Sequence, residues 1–248
     1  MPKWLTAAFA CCLTLTLFTA QAQTVDEVIA KYVEAIGGKE KLSSIKSVYM
    51  EGVAVMQNGS EITTKVTKVD KQLMRTETSF GMGSFTFLVT DKQGWFSNPR
   101  NGGKFEAIPE DRVKMAQSEL DCAGPLVDYA AKGHKAELIG KEAVDGVEYY
   151  KVKLTLNSGN DITYFIDPST YYIMHETRKG GGMMGGGGRR PGGGQGDQEM
   201  RIDYSDYRKT DDGYVFAYSV TRGGMGGSMT YEKIEVNKPV DPKMYKPE

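Results

Sequence analysis

The sequence predicts a mainly β protein: one antiparallel sheet, strongly curved or closed into a barrel, with two helical insertions. Three observations lead there. From Ser47 to Val236, runs of β-branched and aromatic residues alternate with period two and recur at short spacing. Turn residues such as Asn58-Gly59 and Asp145-Gly146 separate neighbouring runs. Helical periodicity is confined to two segments, so the rhythm of a parallel strand–helix–strand sheet is missing. The count is roughly twelve strands.

The elements follow in chain order. Lys3, an apolar run and Ala20-Gln21-Ala22 have the charge, core and small-residue layout of a secretory signal peptide, with cleavage expected near Ala22. The run is too short for a comfortable membrane span. Residues 23–248 then read as a single domain. Thr24-Val25-Asp26-Glu27 has capping-box spacing, and Val25, Val28, Ile29, Tyr32, Val33 and Ile36 share one helical face. Gly37-Gly38 ends that helix, and a short second turn carries Leu42 and Ile45.

Strands begin at Ser47. Ser47–Gln57 and Glu61–Val69 flank Asn58-Gly59, and Gln72–Ser79 and Ser84–Thr90 flank Phe80-Gly81-Met82-Gly83. Gly94–Asn98 and Lys104–Ala107 come next. Pro109–Lys132 reads as one or two helices, interrupted at Gly124-Pro125. Ala136–Val144 and Val147–Leu156 form a hairpin, followed by Asp161–Asp167, Tyr171–Thr177, Glu199–Tyr207, Tyr214–Thr221 and Met229–Val236. Gly180–Gly196 holds eleven glycines in seventeen residues and reads as a long flexible loop between hairpin partners.

Composition removes several function classes. Without residues 1–22 the chain carries 30 basic and 32 acidic residues, which favours neither nucleic acid nor an anionic membrane surface. Cys122 is then the one cysteine, so no internal disulfide is possible. There is no Gly-x-Ser-x-Gly, His-Glu-x-x-His or Cys-x-x-Cys, and His134 and His175 have no partner at ligand spacing. Met183, Met184, Met225 and Met229 suit contact with an apolar ligand better than a thioether copper site. The expectation is a protein without catalytic residues, metal or cofactor. A sheet of this size closed by two helical elements can leave its interior unfilled, and the natural guest of such a space is hydrophobic.

Asp91-Lys92-Gln93-Gly94-Trp95-Phe96-Ser97-Asn98-Pro99, Ala123-Gly124-Pro125-Leu126-Val127, the hairpin Leu138–Tyr150 and Ile166-Asp167-Pro168-Ser169-Thr170-Tyr171-Tyr172-Ile173 follow one another in a familiar order. That order resembles the LolA/LolB-like family of periplasmic lipoprotein carriers, the outer membrane lipoprotein-sorting proteins. The resemblance implies a half-open antiparallel β-barrel, a helical lid, and an apolar cavity that receives acyl chains. Strand alternation and the resemblance together give Phe85, Phe87, Trp95, Leu126, Val152, Leu154, Tyr164 and Met174 as candidate lipid-binding residues. The best-known carriers have an Arg-Pro step early in the sheet whose Arg helps gate the lid. Here that region reads Lys68-Val69-Asp70, so no gating arginine is carried over. The implied function is a periplasmic carrier of lipoprotein acyl chains or another lipid toward the outer membrane, working with an inner- or outer-membrane partner protein. The alternatives are an RseB-like periplasmic sensor of envelope stress and a ligand-free structural protein.

Overall fold

A computed structural model describes residues 23–56, 59–81, 83–179, 199–223 and 228–248. The expected signal peptide, the Gly180–Gly196 loop, Asn58, Met82, Met183, Met184 and Met225 lie outside the described residues.

The opening helix, α1 (Val25–Ala35), starts as the capping box predicts. Thr24 Oγ accepts from the Glu27 N–H, and the Glu27 carboxylate accepts from the Thr24 N–H. Such a cap contributes about 1 kcal/mol. Val28, Ile29 and Val33 form the buried stripe of α1, and the short α2 (Lys39–Ser43) buries Leu42. The first strands are β1 (Ser47–Val55), β2 (Glu61–Val69), β3 (Leu73–Phe80), β4 (Gly83–Thr90), β5 (Gly94–Ser97) and β6 (Glu106–Ala107). After α3 (Glu110–Ala116) and a tight helical turn, Gln117–Leu120, come β7 (Lys135–Val144), β8 (Val147–Thr155), β9 (Asp161–Ile166) and β10 (Ile173–Lys179). The chain continues with β11 (Glu199–Lys209), β12 (Val215–Arg222), β13 (Ser228–Val236) and a last helical turn, Pro242–Tyr245.

All thirteen strands join one sheet in the order β6-β5-β4-β3-β2-β1-β13-β12-β11-β10-β9-β8-β7. Neighbours are antiparallel throughout, and every neighbouring pair except β1 and β13 is consecutive in the chain. The sheet does not close. Its edges are β6 and β7, and the segment joining them carries α3 and the 117–120 turn. The result is a curved, half-open β-barrel with a helical lid.

Two stretches differ from the sequence expectation. Residues 121–132 form turns rather than helix, because Gly124 (φ +85°) and Asp128 (φ +52°) take left-handed conformations that stop helical propagation. The strand expected from Tyr171 begins at Ile173. The Asp167 carboxylate accepts the Ser169 and Thr170 N–H groups and winds the chain into a turn that ends at Tyr171, φ +58°.

The core is divided. The larger cluster joins α1 and α2 to β1 and β8–β13 through Val28, Ile29, Val48, Val152, Leu154, Tyr164 and Ile234. The smaller one packs Val113, Ala116 and Leu120 onto Met74, Phe87 and Val89 of β3 and β4. Both lie on the helix-covered inner face. Leu73 and Leu88, each 0% exposed, lie on the other face by register, where the C-terminal turn rests on β3. Arg75 Nη1 donates to the Lys246 carbonyl at 3.1 Å and fixes that turn in place.

Candidate binding site on the inner face

The inner face is set by strand register. Directly paired residues share a face, so Ile234, Met50, Val66, Thr76, Phe87 and Phe96 form one row across β13, β1, β2, β3, β4 and β5. The row beside it runs Tyr231, Gly52, Thr64, Thr78 and Phe85.

The candidate residues from the sequence separate into three groups. Leu126, Val152, Leu154 and Tyr164 come together in the larger cluster at 2%, 0%, 0% and 3% exposure. At that exposure they are packed side chain against side chain and line no open space. Phe87 is buried under α3 in the smaller cluster, and Phe85 is half-buried on the same face. Met174 is half-buried in a bulge between Ile173 and His175, outside both clusters. Trp95 is a correction. It pairs with Leu88 and Ala107, whereas Phe96 pairs with Phe87, so Trp95 lies on the opposite face from the other candidates. One residue of register reverses every side chain of a strand. Trp95 instead lines a surface hollow of about 400 Å³ with Lys92, Ala107, Ile108 and Val113 at the β5–β6 edge.

Of the less covered part of the inner face, the sequence named Phe85 alone. Met50, Ile62, Val66, Phe80, Phe85 and Phe96 all point inward by register, and all are only half-buried. Phe80 stacks on Phe85 with centroids 5.0 Å apart, and Phe85 on Phe96 at 6.0 Å. This apolar strip lies between the two core clusters, where the helices do not fully cover the sheet. Alternation in β3 and β4 was the available signal. Phe80 was assigned to a turn, and Phe96 was not among the candidates.

A charged cluster sits beside the strip. Glu176 and Arg178 face inward from β10, because they pair with Tyr164 and Ile162. Glu176 is only 3% exposed, and Arg178 Nε donates to it at 2.6 Å. Arg178 Nη1 donates at 2.6 Å to Glu119 of the 117–120 turn. The Tyr204 hydroxyl also donates to Glu176. Lys68, between Val48 and Met74, and Arg222, beside Ile202, complete the inner-face charges here. Burial works against the Glu119 carboxylate, but Arg178, Lys68 and Arg222 together hold its carboxyl below the ordinary value. Burial dominates at Glu176 and raises its carboxyl, against the pull of Arg178. Among the described residues, no buried side-chain nitrogen or oxygen lacks a hydrogen-bond partner. None of their His, Cys, Asp and Glu side chains gather in threes to hold a metal ion.

The sequence matches no family model and no curated protein. Solved structures do match. A LolA superfamily protein from Nitrosomonas europaea superposes with a TM-score of 0.52 at 12% identity, over 91% of this chain and 99% of that one. The fold is the LolA type. An outer membrane lipoprotein-sorting protein domain from Vibrio parahaemolyticus matches at TM-score 0.50 and 12% identity, over 88% of this chain and 94% of that chain. A DUF1329 family protein from Desulfovibrio piger gives 0.53 at 12% identity, covering 91% and 98% of the two chains. The likeness spans 88–91% of this chain, so it extends over most of the fold. At this identity the likeness is one of fold, and the side chains of the inner face belong to this chain alone.

Proposed function

We propose that this protein is an exported carrier that binds an acyl chain on the inner face of its half-open barrel and passes it toward the outer membrane. One observation carries the reading: the strip of half-buried Met50, Val66, Phe80, Phe85 and Phe96, an apolar surface on the covered side of the sheet. Apolar side chains left partly open beneath a cover are where a hydrophobic guest gains most, at about 0.8 kcal/mol per CH₂ removed from water. The packed Leu126, Val152 and Leu154 lie deeper and hold the barrel together. The reading assigns no catalytic step and places the protein in the periplasm, after cleavage near Ala22.

Native mass spectrometry of the protein isolated from a periplasmic extract tests this directly. The expected result is a chain beginning near Gln23 with lipid mass attached, and loss of that mass on solvent extraction. A lipid-free protein that does not take up a fluorescent fatty acid would overturn the carrier reading.

A further inference from the structure

The inner-face charges are unbalanced in an informative way. Arg178, Lys68 and Arg222 stand on the wall of the barrel, on three different strands. Against them, among the described residues, the wall supplies one carboxylate, Glu176, which is 3% exposed and already held by Arg178 and Tyr204. The second carboxylate, Glu119, comes from the cover. Its segment enters through Leu120, packed in the smaller cluster, and Glu119 meets Arg178 at 2.6 Å. Removing the cover therefore leaves three cations facing one buried acid.

Lys68 adjoins the apolar strip, since Val66 stands two residues from it on the same face of β2, and Arg178 and Arg222 act with Lys68 on the same Glu119 carboxylate. An apolar track that ends at a group of cations is complementary to an amphiphile with an acidic head. Resting on the carrier reading above, we propose that the ligand is an acyl-chain amphiphile with an anionic head, whose carboxylate or phosphate takes the place of Glu119 on Arg178, Lys68 and Arg222. Glu119 occupies the head-group position in the free protein, and its chain of contacts makes the cover a competitor for the site. Guanidinium groups suit this role because they bind carboxylate and phosphate through paired N–H donors.

The test is displacement of N-phenyl-naphthylamine, a neutral fluorescent probe of apolar sites, by three competitors: hexadecanoic acid, hexadecyl phosphate and methyl hexadecanoate. Wild-type protein should prefer an acidic competitor over the methyl ester by about tenfold, one charge-assisted interaction. Glu119→Gln, which loosens the cover without removing a cation, should strengthen the acids several-fold and leave the ester unchanged. Lys68→Gln should erase part of the acid preference while the protein melts at its usual temperature. It keeps the test open if Arg178→Met does not fold. Tighter binding of the phosphate points to a phospholipid, and tighter binding of hexadecanoic acid to a free fatty acid. Equal competition by acid and ester in every variant overturns the anionic-head inference and leaves the carrier reading standing. Failure of the probe and all three competitors to bind overturns the carrier reading and this inference with it.

Discussion

Arg178 and Glu119 are separated by 59 residues of chain and by 2.6 Å of space. One stands on the wall of the barrel and the other on the segment that crosses its open side. The same guanidinium also holds Glu176, so a single side chain ties the cover to a buried carboxylate.

Arg178→Met should therefore destabilise the protein by about 2–3 kcal/mol, chiefly by leaving Glu176 buried without its counter-charge. Combining it with Glu176→Gln should recover part of that loss, since the unpaired charge is then gone. Urea unfolding of the single and double variants measures the coupling. Additive losses would mean that the two side chains do not act as a pair.

Leu154→Asp illustrates what the buried group does. Leu154 is 0% exposed in the larger cluster, and an unpaired carboxylate there should prevent folding, a loss of more than about 4 kcal/mol. Phe85→Asp, on the half-buried strip, should leave a folded protein that fails to take up a fluorescent fatty acid. Circular dichroism with a binding titration separates the two. Normal uptake by folded Phe85→Asp would remove Phe85 from the site.

Gly52 sits at a bulge between β1 and β13, where a Cβ would stand 2.6 Å from the Thr230 carbonyl oxygen and 3.0 Å from Tyr231 Cα. Both obstacles are backbone and cannot rotate away. Gly52→Ala should cost about 2 kcal/mol. Gly81→Ala, with nothing within 4 Å of the new methyl, should stay within about 0.5 kcal/mol of wild type. Denaturant midpoints of the two variants compare them.

Both histidines make stability depend on pH in the same direction. Burial pushes the His175 imidazole below its ordinary value, helped by Arg201 and opposed by Asp203, Asp145 and Glu142. Its ring lies on Phe165 with centroids 4.0 Å apart and meets the edge of Tyr149 at 5.3 Å. Burial and Lys132 lower His134 against the pull of Asp121, and its Nδ1 accepts the Asn157 N–H at 3.1 Å, a bond only the neutral ring can take. The folded state therefore prefers neutral rings. As pH falls through the unfolded value of about 6.5 toward the lower folded values, the unfolded chain binds protons first and stability is lost. Thermal melts from pH 7.5 to 5 should show a fall that His175→Phe makes shallower. An unchanged slope in that variant would take His175 out of the account.

The split between what was legible and what was not follows particular elements. Thr24, Glu27 and the stripe from Val25 to Ile36 define α1 because a cap and a helical stripe are local in the chain. β2, Glu61–Val69, matches its sequence reading residue for residue, since alternation needs only neighbours. The sheet was legible for the same reason: most of its pairings join consecutive strands, and hairpins such as β7–β8 are marked by turn residues, there Asp145-Gly146. Trp95 was misplaced because a face is fixed by register against β4, and alternation inside a four-residue strand leaves the choice between two faces open.

The sequence by itself determined the class of the protein: an antiparallel sheet, helices at two places and an apolar interior, all encoded in patterns a few residues long. Tertiary structure alone decided which interior residues are packed and which stay open, and it alone placed Glu119 against Arg178. Those relations depend on how far the cover reaches across the sheet and on the pairing of β1 with β13, which joins the β1–β6 half of the sheet to the β7–β13 half. Contacts between residues so far apart in the chain leave no periodic trace in it, because they arise only when the loops between them have closed.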